Sequence, residues 1–175
     1  MGARDQGADA ITGRWLTIPR TLSFVTHGED VLLLKRGPHR RVFPNKYNGV
    51  GGHIERTEDP LSSAIREIRE ETGLEVQRPL FCGVSHIDAG QDTGILLLIF
   101  RAEALSRNFL NSSEGTLEWV PQADILRYDL VEDLPIVLPR VLAQRPGDPP
   151  FFIHLSYNEA DEVQIHFASD SPGED

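Results

Sequence analysis

Apolar residues fall in short runs separated by glycine, proline and charged clusters. Residues 21–26 and 30–35 are rich in β-formers and stand apart by His27, Gly28 and Glu29, which predicts a hairpin. Residues 80–86, 95–102 and 117–120 predict three more strands, and 151–156 with 162–167 a closing hairpin. Residues 47–54 carry Gly49, Gly51 and Gly52 beside a short strand. Residues 60–72 predict the clearest helix: Asp59 suits its N-cap, Pro60 its first turn and Gly73 its C-terminal end. At about 100° per residue, Leu61, Ala64, Ile65 and Ile68 share the stripe expected to pack on a sheet. A helical turn at 121–127 and a second helix at 134–143 follow. Residues 37–45 read as a basic, proline-containing loop and 106–115 as a polar one. Strands interspersed with helices predict a mixed β-sheet between helices. The 175 residues favour one domain over 1–175, with residues 1–14 and 168–175 as loose ends.

Composition narrows the setting. No apolar run approaches the roughly 20 residues that span a bilayer, the longest being 94–100. Residues 1–10 are polar, unlike a signal peptide. Cys82 is the only cysteine, so no intrachain disulfide forms, which fits a reducing cytoplasm. These features lead us to expect a cytoplasmic protein without a membrane partner. The formal net charge of -10 comes without a basic stripe, so no nucleic-acid partner is expected. An acidic protein still binds phosphates where metal ions neutralise the site.

The acids matter where they cluster. Glu67, Glu70 and Glu71 are spaced i, i+3 and i+4, so their side chains meet on one helix surface and repel. Arg66 and Arg69 offset part of this; a hard divalent cation offsets more, because carboxylate oxygens are its preferred ligands. A solvated acidic face is the plainer reading of the helix alone. Upstream, the stretch from Gly51 and Gly52 through His53, Ile54 and Glu55 leads to Glu58. Its glycines permit a tight turn, or close backbone approach to a ligand with a carbonyl as an extra oxygen donor.

Residues 52–74 (GHIERTEDPLSSAIREIREETGL) resemble the Nudix box, G-x(5)-E-x(7)-R-E-U-x-E-E-x-G-U, with U a bulky aliphatic residue. Gly52, Glu58, Arg66, Glu67, Glu70, Glu71 and Gly73 meet its fixed positions, and Ile68 and Leu74 its aliphatic ones. The resemblance implies the Nudix α/β/α sandwich over residues 18–168. It also implies hydrolysis of a phosphoanhydride in a nucleoside diphosphate derivative, dependent on Mg²⁺ with Mn²⁺ as a substitute. By the same resemblance Glu67, Glu70, Glu71 and Glu58, with the Gly51 carbonyl, hold metal, and Arg66 orients the glutamates. Glu67, or secondly Glu70, takes the proton of the attacking water. A loop acid outside the box completes such sites. Glu114, in the segment 114–119, is the candidate; the rival Glu118 should point away from Leu117 and Trp119 by strand alternation.

Residues 46–52 (KYNGVGG) resemble MutT-type enzymes, which convert oxidised purine nucleoside triphosphates to monophosphate and pyrophosphate. That implies base recognition by Asn48, with a turn residue as the alternative. Glu132 and Asp133, in 130–135, match acids that meet the base in that branch; the alternative for Asp133 is a helix N-cap. Tyr47 could stack on a base, while Phe24 and Trp119 read as core. Lys35, Arg36, Arg40 and Arg41 could meet phosphates or form a solvated basic loop. The proline and tyrosine that mark ADP-ribose and diadenosine polyphosphate branches are absent from 87–93, and His53 stands where some triphosphate hydrolases have lysine. Hydrolysis of ADP-ribose, a nucleotide sugar or another diphosphate is the alternative, and a non-catalytic nucleotide-sensing domain a further one. The expected assembly is a monomer or homodimer.

Overall fold

The strand-forming runs find partners that sequence adjacency does not suggest. The computed structural model describes residues 6–9, 11–110 and 114–168. Most of the expected loose ends, and residues 111–113 of the polar loop, lie outside the described residues. In chain order the elements are β1 (Leu16–His27), β2 (Asp30–Arg36), β3 (Tyr47–Asn48), α1 (Pro60–Thr72), β4 (Leu80–Ile87) and β5 (Thr93–Glu103). Then come β6 (Gly115–Pro121), a 3-10 helix (Gln122–Arg127), α2 (Leu134–Ala143), β7 (Phe151–Tyr157) and β8 (Val163–Phe167). The sheet order is β3-β2-β1-β5-β4-β7-β8, with β6 on the other edge of β2. β1–β5 and β4–β7 are parallel and the remaining ladders antiparallel, so the sheet is mixed.

The predicted first hairpin is a minor feature. β1 and β2 pair only from Val25 opposite Leu32 to His27 opposite Asp30. The main partner of β1 is β5, from Leu16 opposite Thr93 to Thr26 opposite Glu103, which carries the strand five residues upstream of its predicted start at 21. Trp15 precedes it, its indole Nε1 donating to Gln91 O at 3.2 Å. Because β1 and β2 part early, residues 47–53 wedge between them. Tyr47 and Asn48 pair with β2, then Val50 bridges Ser23 and His53 bridges Arg20 on β1. That wedge brings the glycines over the sheet edge.

Each face of the sheet carries one helix. Leu22, Phe24, Leu33 and Ile99 pack with Leu134, Val137, Leu138 and Val141 of α2. Val25, Leu32, Leu34 and Leu117 pack with Val50, Ile68 and Leu74 on the α1 side. This is the α/β/α sandwich expected.

α1 keeps its predicted ends. Asp59 accepts from the Leu61 and Ser62 amides at 2.9 and 3.0 Å, and Gly73 adopts φ 71°, its N–H bonding Arg69 O. Its inner face differs from prediction. Ser63, Ala64, Ile68 and Thr72 are buried, whereas Ile65 is exposed. The helix is rolled so that Glu67 and Glu71 turn towards the glycine segment. Small Ser63 and Ala64 allow that approach, and Ile65 is displaced outward as a consequence.

Candidate functional site

Two glycines set the geometry. Gly51 has φ 154°, and a Cβ there would run into the Thr21 carbonyl; a Cβ on Gly52 would run into the Glu67 carboxylate. Backbone bars a side chain at Gly51, whereas one at Gly52 would push the Glu67 carboxylate aside, so the segment lies directly against α1. The Gly52 carbonyl is engaged by the Thr21 N–H at 2.9 Å. Its neighbour Gly51 therefore remains the candidate backbone ligand.

Arg66 is the hub of the acidic helix. Its guanidinium donates to both Glu58 oxygens at 3.0 and 2.6 Å, to Glu67 Oε1 at 2.8 Å, to Glu70 Oε2 at 3.0 Å and to His53 O at 3.2 Å. The hydrogen bond with Glu58 is the largest of the influences that raise the Arg66 pKa. In return Arg66, helped by the Glu55 amide, holds the Glu58 carboxyl down to about 2. Glu70 lies on the exposed side and joins the group through Arg66. Arg66 thus links the box to the loop before it and positions its carboxylates.

Glu71 is the misfit. Its Oε2 is buried and has no hydrogen-bond partner among the described residues. Burial, then the charges of Glu114 and Glu67, push its carboxyl up to about 8, opposed by the Gly51 amide and Arg36. A buried, unpartnered carboxyl oxygen facing two other carboxylates is a strained arrangement in water and a ready one for a hard divalent cation. Glu67, Glu71, Glu114 and the Gly51 carbonyl supply the oxygens such an ion takes, so the residues fit one. Among the described residues no three His, Cys, Asp or Glu side chains are grouped closely enough to hold an ion. Arg66 holds Glu67, and Arg40 pairs with Glu114. Arg40 and Arg36 bring positive charge to the same side.

Other predicted residues separate. Lys35 lies 5.5 Å over the Tyr47 ring, and the ladder partner of both residues' neighbours, Leu34 with Asn48, faces the α1 side instead. Lys35 therefore does not join Arg36 at the acidic site. The Asn48 Oδ1 accepts from the Gly49 N–H at 2.8 Å, the turn arrangement rather than a free base reader. Glu118 faces away from Leu117 and Trp119, as alternation requires, and accepts from the hydroxyls of Tyr47 and Tyr128 at 3.2 and 3.1 Å. The two rings meet edge to face at 5.0 Å. Tyr128 was not singled out in the sequence; its place between a 3-10 helix and a loop gives no periodic signal. Arg41 takes no defined place in the site. Phe24 is fully buried, and Trp119 packs on the α1 side with its Nε1 donating to Arg107 O.

Asp133 stands at the N-cap position of α2 but has helical backbone and makes no side-chain cap bond, so capping does not account for it. Burial, then the charge of Glu132, raise its carboxyl pKa. The segment before it is tied to the wedge: the Tyr47 N–H donates to Asp129 O at 2.9 Å and the Val131 N–H to Tyr47 O at 3.0 Å. Glu132 and Asp133 are therefore carried next to the glycine segment.

A family model described as the NUDIX domain matches residues 17–141. The chain is 30% identical over 113 residues to the uncharacterized Nudix hydrolase YvcI of Bacillus subtilis, covering 62% of this chain and 69% of that protein. It is 36% identical over 67 residues to the m7GpppN-mRNA hydrolase NUDT17 of Xenopus laevis, 38% of this chain and 23% of that protein. To the NAD-capped RNA hydrolase NudC of Pseudomonas aeruginosa it is 34% identical over 88 residues, 50% of this chain and 30% of that protein. The chain thus matches less than a third of the length of these two relatives. In fold it is similar to a MutT protein from Bacillus halodurans, with a TM-score of 0.74 at 24% identity over 87% of this chain and 99% of that one. A MutT NUDIX hydrolase from Burkholderia pseudomallei gives 0.62 at 21% identity over 71% and 98%. At these identities the likeness is one of fold.

Proposed function

The chain belongs to the Nudix family, and from that premise we propose that it is a pyrophosphohydrolase that uses Mg²⁺ to cut a phosphoanhydride bond in a nucleotide. The preferred substrate class is a purine nucleoside triphosphate, oxidised or unmodified, cut to monophosphate and pyrophosphate. The carrying observation is Glu71, whose Oε2 is buried and unpartnered among the described residues while its carboxyl faces the charges of Glu67 and Glu114 and meets the Gly51 amide.

In this reading Glu67, Glu71, Glu114 and the Gly51 carbonyl hold the cation, with Glu58 and Glu70 at its margin. When bound, Mg²⁺ supplies charge neutralisation at the phosphates and acidifies water. Glu67, half-buried and aligned by Arg66, accepts the water's proton; Glu70 is the second choice. Arg66 fixes the carboxylates, so little reorganisation is needed as charge develops. Arg36 and Arg40 receive the phosphate oxygens. Tyr47, Glu132 and Asp133 face the remainder of the nucleotide, with Asn48 shaping the turn beside them. The setting proposed is cytoplasmic.

A second reading takes a nucleotide-capped RNA end as substrate, favoured by the similarity to hydrolases of m7GpppN-mRNA and NAD-capped RNA. One assay separates the two. Phosphate, pyrophosphate and monophosphate release is measured from nucleoside triphosphates, 8-oxoguanine triphosphate, ADP-ribose and capped RNA, with Mg²⁺ and with chelator. Chelator-sensitive release of pyrophosphate from a purine triphosphate is expected. Turnover of capped RNA alone would replace that substrate class, and turnover of none would leave a nucleotide-sensing domain.

A further inference from the structure

We propose that His86 and His154 form a binding site for a borderline divalent transition-metal ion such as Zn²⁺, on the sheet face away from α2 and apart from the acidic site.

Two ladders align the imidazoles. His86 of β4 pairs with His154 of β7, and His154 with His166 of β8. Residues opposite one another in paired strands share a face. Ile153 and Leu155 flank His154, Ile165 and Phe167 flank His166, and all four pack on the α2 side. Successive side chains of a strand alternate, so the imidazoles point to the other face. α1 leaves this part of that face uncovered: among the described residues its core cluster contains none from β4, β7 or β8. His154 and His166 are exposed and His86 is half-buried. The His86 and His154 ring centroids stand 6.1 Å apart. Among the described residues no ring nitrogen of the row is held by a hydrogen bond.

The surroundings select the ion. A neutral imidazole offers one ring nitrogen as a metal ligand and suits Zn²⁺, Ni²⁺ and Cu²⁺, whereas Mg²⁺ takes oxygens. With bonds of about 2.1 Å, a four-coordinate ion holds two ring centroids roughly 5 Å apart, so the exposed His154 ring has about 1 Å to close. Trp15 steadies the other ligand. Its ring meets that of His86 edge to face at 4.9 Å, and its Nε1 is fixed on Gln91 O at 3.2 Å. Val84 and Phe152, the pair two residues before on the same strands and face, bring no oxygen. Asp88, two residues after His86, turns its Oδ1 to the Gly90 N–H at 2.8 Å. A hard cation therefore finds little here. Among the described residues no third His, Cys, Asp or Glu completes the group, so water fills the remaining positions, unlike the closed four-ligand site of a structural zinc. The pair joins β4 to β7, the first strand after residue 141, where the Nudix match ends. A bound ion would thus fasten the closing hairpin to the core.

The test titrates Zn²⁺ into the full chain by calorimetry, in excess Mg²⁺ and without nucleotide. Wild type is compared with His86→Ala, His154→Ala, His166→Ala and Glu71→Gln, each checked for folding by circular dichroism. Wild type and Glu71→Gln should share a Zn²⁺ site that His86→Ala and His154→Ala each weaken by about tenfold or more. His166→Ala, one strand farther out, should keep the wild-type affinity. Zn²⁺ should raise the Tm of wild type by mass action, and not that of His154→Ala. Mg²⁺-dependent hydrolysis should be unchanged in the histidine variants, since none of them touches the acidic site. No Zn²⁺ binding by wild type, or wild-type affinity in His86→Ala or His154→Ala, would overturn the proposal. So would Zn²⁺ binding that Glu71→Gln alone abolishes, which would place the ion among the carboxylates.

Discussion

Glu71 concentrates the electrostatics of this chain in one side chain. Its carboxyl is raised to about 8 by burial and by Glu114 and Glu67, against an ordinary value of 4.5. Between those values the metal-free folded protein holds a proton that the unfolded chain releases. The associated stability is full below about pH 4.5 and is lost as pH rises through about 8. Thermal unfolding in chelator should therefore show a Tm that declines over that window in wild type and declines less in Glu71→Gln. Parallel slopes would remove Glu71 from the role given to it. The residue's importance is legible from the box pattern in the sequence; its mismatch is not. That arises from Glu114, brought from a distant loop, and from the roll of α1.

At the scale of elements, α1 shows what periodicity reads and what it misses. Its caps follow from Asp59, Pro60 and Gly73, which act locally. Its buried face depends on contacts outside the helix: the glycine segment draws Glu67 and Glu71 inward and leaves Ile65 outside. The two isoleucines report on that roll. Ile68→Ala should cost about 2–5 kcal/mol in denaturant unfolding, as deletion from a filled core does. Ile65→Ala, at an exposed site, should stay within about 0.5 kcal/mol. Equal losses would restore the stripe that the wheel suggests. The β1–β5 ladder was also hidden, since Pro19 and Arg20 interrupt the strand signal and parallel pairing leaves no local turn to read. Asp133 is the converse: a cap by sequence position, but one whose side chain makes no capping bond.

Across the whole molecule, the sheet edge where β1 and β2 part brings the two halves of the account together. The wedge at residues 47–53 places Gly51 and Gly52 against the acidic helix on one side and Tyr47 beside the segment leading to Asp133 on the other. In the reading proposed, the metal chemistry follows from the box, whereas the residues offered for the base, Tyr47, Glu132 and Asp133, lie outside it and form no contiguous motif. A cation that binds the folded state alone should also raise its stability by mass action.

The measurement that bears most directly on this account is Mg²⁺-dependent hydrolysis by Glu71→Gln beside wild type, with cation affinity taken from the Mg²⁺ dependence and folding checked by circular dichroism. The amide keeps the shape but removes the charge that answers the ion. A folded variant whose turnover falls by about 100-fold or more, with a weakened requirement met only at far higher Mg²⁺, is the expected result. Wild-type turnover at the same Mg²⁺ concentration would contradict it.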